Sequence, residues 1–189
     1  VRRVVETIRE LKPQVIITFN EYGGYGHPDH IAIQRATTEA FSLAGDPNYV
    51  TEGLAPYQPQ KLYYNNIARW MLQYRIFRMR LKGEDPRALG RNKDIDMVKI
   101  LDHIGPTHAK IDVKPYLEDW IEASACHKSQ GGGSMMQNIG WFTKLLRATI
   151  GIKQQFTRVY PKPASNRIDE KDLFSNVIVD AVDTPATIS

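Results

Sequence analysis

The chain has 189 residues, 42% of them hydrophobic and 24% charged, which is enough to bury a core and excludes general disorder. The net charge of +4, from 25 basic and 21 acidic residues, is too small to indicate a nucleic-acid-binding protein. The single cysteine, Cys126, excludes a disulfide framework and indicates a reducing, cytoplasmic location, and the lack of any run of about 18 apolar residues excludes stable membrane insertion.

The first predicted elements are a helix and a buried strand. Apolar residues recur at helical spacing over residues 4–11, and the pattern stops before Pro13, which disfavours helix in the residue preceding it. The β-branched run at 15–19 is typical of a buried strand in a parallel sheet. A helix followed by a strand is half of a βαβ unit, so we expect a preceding strand that lies before Val1.

A glycine-rich loop at 20–26 follows this strand and leads into a second helix. Open α/β sheets place their ligands at the carboxyl ends of their strands, so this loop is the expected binding region. Pro28 suits the first turn of the helix, which puts His27 and His30 about one turn apart on one side. The predicted inner face of this helix consists of Ile33, Ala36, Ala40, Phe41 and Ala44, and the helix closes at 45–47.

A strand at 60–64 and an amphipathic helix at 67–81 are predicted next. The apolar face of the helix is formed by Ile67, Trp70, Met71, Tyr74, Phe77 and Leu81, and basic residues surround it. Three interpretations of this basic helix remain open: an ordinary helix with a solvated basic face, a helix on a membrane surface, or a wall that meets an anionic part of the substrate.

The second half of the chain carries weaker signals. We predict a loop at 83–96, an extended piece at 111–113, a helix from Pro115 to near Gln130, a joint at 131–134, a short helix at 139–149 and an edge strand at 176–179. His103 and His108 flank a Gly-Pro pair and are interpreted as turn residues, whereas His127 lies near a helix end and receives no role. We interpret Cys126 as a buried packing residue.

The loop motif carries the chemistry. A neutral imidazole is a good zinc ligand, and a catalytic zinc takes about three protein ligands. An imidazole beside a carboxylate can be held in its charged form, which stabilises an oxyanion or protonates a leaving amine. Asp29 would be that carboxylate, unless it instead stabilises the helix N-terminus. Alternatively, His27 and His30 only hydrogen-bond within a turn, but their spacing, the neighbouring glycines and the place after a strand favour a site.

Residues 24–30, preceded by residues 12–18, resemble a signature of the LmbE/PIG-L family of zinc-dependent de-N-acetylases. Residues 61–64, 107–113, 125–130 and 170–174 resemble further segments of that family. The resemblance implies an α/β fold with a Rossmann-like, mostly parallel sheet and flanking helices, and a small amino-sugar conjugate as the substrate.

The resemblance also implies a role for each matching residue. His30 would be a ligand of zinc, or of another divalent metal. His27 would stabilise the oxyanion and protonate the departing amine, with Asp29 tuning or orienting it. The hydroxyl of Tyr25 would reach the substrate carbonyl, although an aromatic residue here also suits simple loop packing.

One family motif is missing from the 189 residues. Family members carry a His-Pro-Asp-Asp motif that supplies two further metal ligands and the general base, and here the only His-Pro pair is the one at His27. We therefore expect residues 1–189 to be the C-terminal portion of a single de-N-acetylase-like domain whose N-terminal strand is missing, and to be inactive alone.

The expected function of the whole protein is zinc-dependent removal of acetyl from an N-acetylglucosamine-type substrate. Two alternatives remain: an amidase that acts on a thiol-sugar conjugate, and a non-catalytic, sugar-binding relative that has lost the first motif.

Overall fold

Helices alternate with strands along the described part of the chain, which in this computed structural model comprises residues 1–90, 92–127 and 153–179. In chain order the elements are α1 (Arg2–Leu11), β1 (Val15–Thr18), α2 (Gly23–Gly26), α3 (Pro28–Gly45), β2 (Lys61–Asn66), α4 (Arg69–Leu81), α5 (Met97–Asp102), β3 (Ala109–Asp112), a 3-10 turn (Lys114–Tyr116), α6 (Leu117–Ala125) and β4 (Lys153–Tyr160). The joint and helix expected at 131–134 and 139–149 lie outside the described residues. Among the described helices, none is both long and apolar enough to cross a membrane.

The four described strands form one sheet in the order β1-β2-β4-β3. Strands β1 and β2 are parallel, as expected for strands joined by the helical crossover α3. Strand β4 is antiparallel to both β2 and β3. The α/β class with helices flanking a sheet is confirmed, but the sheet is mixed over the described strands rather than mostly parallel. The reason is β4, which the sequence analysis did not predict.

Strand β4 and helix α5 are the two elements that the sequence analysis missed. In β4, residues 156–160 are β-branched, aromatic or basic residues that end at Pro161, a pattern typical of a strand. Helix α5 begins after Asp96, whose carboxylate accepts from the backbone N–H groups of Val98 and Lys99. The local sequence therefore contained residues typical of a strand at β4 and of a helix start at α5.

Helix α1 packs against α3 and confirms most of the predicted faces. Val5 and Ile8 are buried against Ala40 and Ala44, and Phe41 is buried against the sheet. The prediction for Ile33 was wrong, since that side chain is 43% exposed. Gln34 is buried in its place because its amide donates to the Tyr64 hydroxyl at 2.9 Å.

The predicted inner face of α4 lies on the solvent side. Leu72 and Ile76 are the buried residues of this helix, and they pack against Met97, Ile100 and Ile104. The unpredicted helix α5 covers this side and leaves the opposite one open. The six residues that were expected to be buried are each 46% exposed or more: Ile67, Trp70, Met71, Tyr74, Phe77 and Leu81.

Three smaller predictions were also wrong. Strand β1 is only partly buried, because it lies at one edge of the described sheet and Ile17 is 49% exposed. Residues 176–179 form no strand, since the backbone of Ile178 is bonded on both sides by the amide of Gln60 instead of by a neighbouring strand. Cys126 is exposed at the end of α6, with its thiol against the Glu122 carbonyl.

Candidate functional site

The loop at the carboxyl end of β1 is anchored by Asn20. Its side-chain oxygen accepts from the Gly24 N–H at 2.9 Å, and its backbone carbonyl accepts from the Gly23 N–H at 2.8 Å. Its amide nitrogen donates to the backbone carbonyl of His103, 3.3 Å away at the end of α5. The buried Asn20 therefore stabilises the turn within the loop and also joins the loop to α5, which is distant in sequence.

Gly23 is required where this loop turns onto α3. Its φ of +65° lies in the left-handed region, and a Cβ at this position would lie 2.9 Å from the His30 Cβ and from the Ile31 nitrogen. No side chain fits there, so the backbone of the loop reaches the first turn of α3.

His30 is held by a backbone hydrogen bond and an aromatic stack. Its Nδ1 is 3.1 Å from the Gly23 carbonyl oxygen, and its ring lies parallel to Phe19 with 4.0 Å between the ring centroids. Because a carbonyl oxygen only accepts, this bond places the ring proton on Nδ1. The Nε2 lone pair is then available to bind a metal, which is how metal-ligating histidines are usually oriented.

His27 caps the N-terminus of α3 with its ring. The Asp29 N–H donates to His27 Nδ1 at 3.2 Å, so the neutral ring carries its proton on Nε2. The Asp29 carboxylate lies 3.8 Å from the same Nδ1, too far for a direct hydrogen bond, and its side chain is 90% exposed. The Asp29 side chain also occupies the first turn of α3, where a negative charge stabilises the helix. The Asp29 carboxylate therefore lies where it stabilises the helix, and the contact of Asp29 with the His27 ring is made by its backbone N–H.

The structure brings the predicted site residues together. The ring centroids of His27 and His30 are 5.1 Å apart, and the Tyr25 ring is 5.9 Å from His27 and 5.0 Å, edge-on, from His30. Two imidazoles and a phenol therefore form one compact cluster at the carboxyl end of β1. The Tyr25 side chain is 38% exposed, so its hydroxyl group is not committed to the core.

A cavity of about 190 Å³ adjoins this cluster at the ends of β1 and β2. Its walls combine uncharged amide side chains with apolar ones: Asn20, Asn65, Asn66, Gln154, Phe19, Gly24, Tyr25, Ile67, Ile100 and Ile104. Amide groups offer both donors and acceptors, which suits neutral hydroxyl-bearing ligands. Phe19, Asn66 and Gln154 were not predicted as site residues, because they lie just after β1, in β2 and in β4, and no local motif connects them.

The residues present fit one position of a metal site. His30 offers a correctly held imidazole, as described above. Within residues 1–90, 92–127 and 153–179, however, no group of three or more His, Cys, Asp or Glu side chains converges as a metal centre would require. His30 could therefore supply only one of the ligands that a metal site requires.

The remaining histidines are not part of this cluster, although His103 contacts the same loop. His103 caps α5, with its Nδ1 2.8 Å from the Lys99 carbonyl, and its ring stacks on Tyr22. The interpretation of His108 as a turn residue was wrong, because it is 1% exposed and its Nδ1 accepts from the Arg158 N–H. His127 is exposed just beyond α6.

Comparison with known proteins connects this geometry to a family. Residues 1–41, which include α1, β1 and the histidine loop, match the family model described as PIG-L, GlcNAc-PI de-N-acetylase. The chain is similar to proteins named 1D-myo-inositol 2-acetamido-2-deoxy-alpha-D-glucopyranoside deacetylase from several bacteria. It is 36% identical to the one from Streptomyces griseus, over 67% of this chain and 38% of that protein.

Two longer matches extend almost to the end of the chain. The relative from Catenulispora acidiphila is 30% identical over 92% of this chain and 53% of its own length. The relative from Frankia alni is 27% identical over 93% of this chain and 61% of its own length. The chain therefore spans less than two thirds of each of these relatives. The match to the family model and these relatives together confirm the resemblance of the chain to the LmbE/PIG-L family.

Proposed function

We propose that the whole protein is a metal-dependent amide hydrolase that removes the acetyl group from an N-acetylglucosamine-type conjugate. The observation that carries this proposal is the bond between His30 Nδ1 and the Gly23 carbonyl, which presents Nε2 as a metal ligand beside a second imidazole. The names of the relatives support the substrate class, since they denote deacetylases of an inositol-linked 2-acetamido sugar.

His30 would hold the metal, and we propose Zn²⁺ with another divalent ion as the alternative. The chemistry that a bound Zn²⁺ supplies is activation of a water for attack on the amide carbonyl. The 189 residues contain no His-Pro-Asp-Asp motif that would supply the other ligands and the base, so we propose that they are inactive by themselves. We also propose that they form one domain, because β4 is inserted between β2 and β3 in a single sheet.

His27 would act on the oxygen and the nitrogen of the scissile amide. With Nδ1 occupied by the Asp29 N–H, the proton on Nε2 is the one available to donate to the oxyanion. To protonate the leaving amine, the ring would first have to gain a second proton at Nδ1, where the Asp29 carboxylate 3.8 Å away, and not the Asp29 N–H, would face it. The Tyr25 hydroxyl would add a second donor to the oxyanion, and Asp29 would orient the His27 ring. The amide-lined cavity next to the cluster would receive the hydroxyl groups of the sugar.

Two alanine variants in the whole protein test these roles. We expect His30→Ala to abolish metal occupancy and acetate release. We expect His27→Ala to keep the metal while kcat falls by a factor of about 10² to 10³, since one donor to the oxyanion is lost. Metal content is measured by mass spectrometry of the purified protein, and acetate release is measured on an N-acetylglucosaminyl-inositol conjugate. The exposed His127→Ala serves as the control and should change neither.

The acyl product separates the remaining alternatives. Release of acetate supports the deacetylase, whereas release of a larger acyl group from a thiol-sugar conjugate supports the amidase. Unchanged metal content in His30→Ala would contradict the assigned ligand. Sugar binding without turnover by the whole protein, loaded with metal, would support a non-catalytic relative. The cytoplasmic location stays a prediction that these experiments do not address.

A further inference from the structure

Helix α4 has two apolar faces on roughly opposite sides, at about 100° per residue. One face, with Leu72 and Ile76, is buried against α5 and the residues that follow it. The other face is a stripe of aromatic and aliphatic side chains at helical spacing: Trp70, Met71, Tyr74, Phe77 and Leu81. We refer to these five residues as the apolar stripe.

The apolar stripe is open to solvent along its whole length. Trp70 is 53% exposed, Tyr74 54%, Phe77 57% and Leu81 71%. Single exposed apolar residues are common on proteins and need no explanation, but five along one face of one helix form a continuous patch. Aromatic side chains on such a face suit the boundary between water and lipid headgroups, because their rings are amphipathic.

Basic side chains border the apolar stripe on both sides. At helical spacing, Arg75 and Lys82 fall on one flank, Arg80 on the other, and Arg78 lies within the stripe, whereas the Arg69 guanidinium donates to the Ile104 carbonyl. The Arg78 guanidinium lies over the Tyr74 ring, 5.9 Å from its centroid. Residues 67–82 contain no acidic residue. Glu84, just beyond the helix, lines a groove together with Arg75, Arg78 and Lys82, so this face combines apolar area with an excess of positive charge.

The charge distribution decides which partner fits. A second copy docked face to face would bring two sets of arginine and lysine side chains together, which is unfavourable. An anionic surface would instead neutralise them. Unlike a nucleic acid, a bilayer also receives aliphatic side chains such as Met71 and Leu81 alongside the rings.

We propose that the apolar stripe and its basic flanks form a docking surface for anionic phospholipid membranes. The helix lies parallel to the surface, with Trp70, Tyr74 and Phe77 at headgroup level and the arginines against the lipid phosphates. The protein is then peripherally and reversibly bound, through a surface of α4 that faces away from its contact with α5. This assignment is independent of the proposed hydrolase activity.

Sedimentation with lipid vesicles tests the proposal. The purified protein is mixed with vesicles of phosphatidylcholine alone or of phosphatidylcholine with about 30% phosphatidylglycerol, a content that gives a clearly negative surface. We expect the partition coefficient to be at least about ten-fold higher on the anionic vesicles and to fall as salt is added. Trp70 should also shift its fluorescence to shorter wavelength on binding.

Two double variants separate the two components of the surface. We expect Trp70→Ser with Phe77→Ser to lower the partition coefficient about ten-fold or more, through lost apolar area. Arg75→Gln with Arg78→Gln should lower it by a similar factor on anionic vesicles only. The matched controls are Leu11→Ser with Val50→Ser, exposed by 70% and 82% elsewhere on the protein, and Arg3→Gln with Arg35→Gln. These controls should bind as the wild type does, and circular dichroism confirms that all variants are folded.

Several results would overturn the proposal. They are the absence of vesicle binding, equal binding to neutral and anionic vesicles, and binding that the control variants weaken as much as the α4 variants do. A dimer in sedimentation velocity that the Trp70 and Phe77 variant abolishes would assign the surface to a second copy. Preferential binding of a single-stranded oligonucleotide, lost in the same variant, would assign it to nucleic acid.

Discussion

The orientation of His30 depends on two neighbours that constrain the ring in different ways. The Gly23 carbonyl fixes which nitrogen carries the proton, and the Phe19 ring, tilted by only 8°, fixes the plane of the imidazole. A rotated His30 would lose both contacts. The backbone at Gly23 therefore acts on the site through geometry, although it takes no part in the chemistry.

This geometry predicts a specific effect of Gly23→Ala. The new methyl group would overlap the His30 Cβ and the Ile31 nitrogen, so the carbonyl and the ring cannot both keep their positions. We expect the variant to lose metal binding and most activity. Gly53→Ala is the matched control, because its φ of +73° imposes a similar backbone strain while no atom lies within 4 Å of the added methyl.

Gly53→Ala should lose about 1 to 2 kcal/mol in the free energy of unfolding from backbone strain, and Gly23→Ala should lose more because its methyl group also overlaps its neighbours. Urea denaturation measures both losses, and metal content measures the effect specific to Gly23. Normal metal binding by Gly23→Ala would show that the carbonyl of Gly23 does not position His30.

At the scale of elements, a buried arginine joins α1 to the C-terminus of α3. Arg9 is 2% exposed and its guanidinium donates to the backbone carbonyls of Leu43, Ala44, Asp46 and Tyr49 and to the Thr51 hydroxyl. Carbonyls at the end of a helix have no partner within it and carry partial negative charge. The planar guanidinium of Arg9 carries several N–H donors and can hydrogen-bond to all of these carbonyls from one position.

Replacing Arg9 should therefore destabilise the packing of α1 on α3. We expect Arg9→Met to lower the free energy of unfolding by about 3 kcal/mol or more, since several buried carbonyls lose their donor. Arg9→Lys should recover only part of this loss, because an ammonium group cannot match the guanidinium fork. Arg3→Met, on the exposed side of the same helix, is the control and should change stability by less than about 0.5 kcal/mol. Equal loss in Arg9→Met and Arg3→Met in urea denaturation would contradict this role.

The local sequence predicts the histidine loop better than it predicts which side of a helix is buried or which residues line the cavity. The histidine loop was predictable because its residues are contiguous and the turn itself positions them. The buried side of α4 was not, since both of its sides carry apolar residues at helical spacing and only α5, distant in sequence, decides between them. For the same reason the cavity wall at Asn66 and Gln154 required the strand pairing of β2 with β4. Gln34 shows the converse, because one hydrogen bond to Tyr64 buries a polar residue where an apolar one was expected.

At the scale of the whole molecule, a buried ionic cluster connects β2, β4 and the C-terminal segment. The Glu170 carboxylate is 2.6 Å from Lys61 Nζ and 2.8 Å from an Arg158 nitrogen, and it accepts from the Tyr63 hydroxyl at 2.6 Å. Burial lowers the pKa of Arg158, but its hydrogen bond to Glu170 and the charge of that carboxylate outweigh burial and raise it. The Glu170 carboxylate thus forms ion pairs with two cations and accepts a hydrogen bond from a phenol.

The cluster makes Glu170 important for stability. We expect Glu170→Gln to lower the free energy of unfolding by about 3 kcal/mol or more, because it leaves Lys61 and Arg158 buried without their shared counterion. Asp169→Asn is a close control, since Asp169 also pairs with Arg158, at 3.1 Å, but its side chain is 49% exposed. Asp169→Asn should lower the free energy of unfolding by less than about 1 kcal/mol. Similar losses in the two variants in urea denaturation would show that the buried position of Glu170 is not what matters.

Tyr63 gives the same cluster a distinctive response to alkaline pH. Burial, followed by the hydrogen bond to Glu170, raises the pKa of Tyr63 well above its ordinary value of 10.0. Above pH 10, the Tyr63 phenol of the unfolded chain releases its proton, while that of the folded protein retains it. The stabilisation from Tyr63 is therefore complete below about pH 10 and declines as the pH rises further.

Tyr63→Phe isolates this contribution, because phenylalanine has no proton to lose. Below pH 10 the variant should be less stable than the wild type by about 1 to 3 kcal/mol, for the lost bond to a buried carboxylate. Between pH 10 and 11 the difference should narrow by roughly 1 kcal/mol, since only the wild type carries the phenol whose titration favours unfolding. Urea denaturation at pH 8, 10 and 11 measures this narrowing, and Tyr74→Phe, on an exposed tyrosine, should follow the wild type throughout. A difference that stays constant with pH would mean that Tyr63 titrates alike in the folded and unfolded protein.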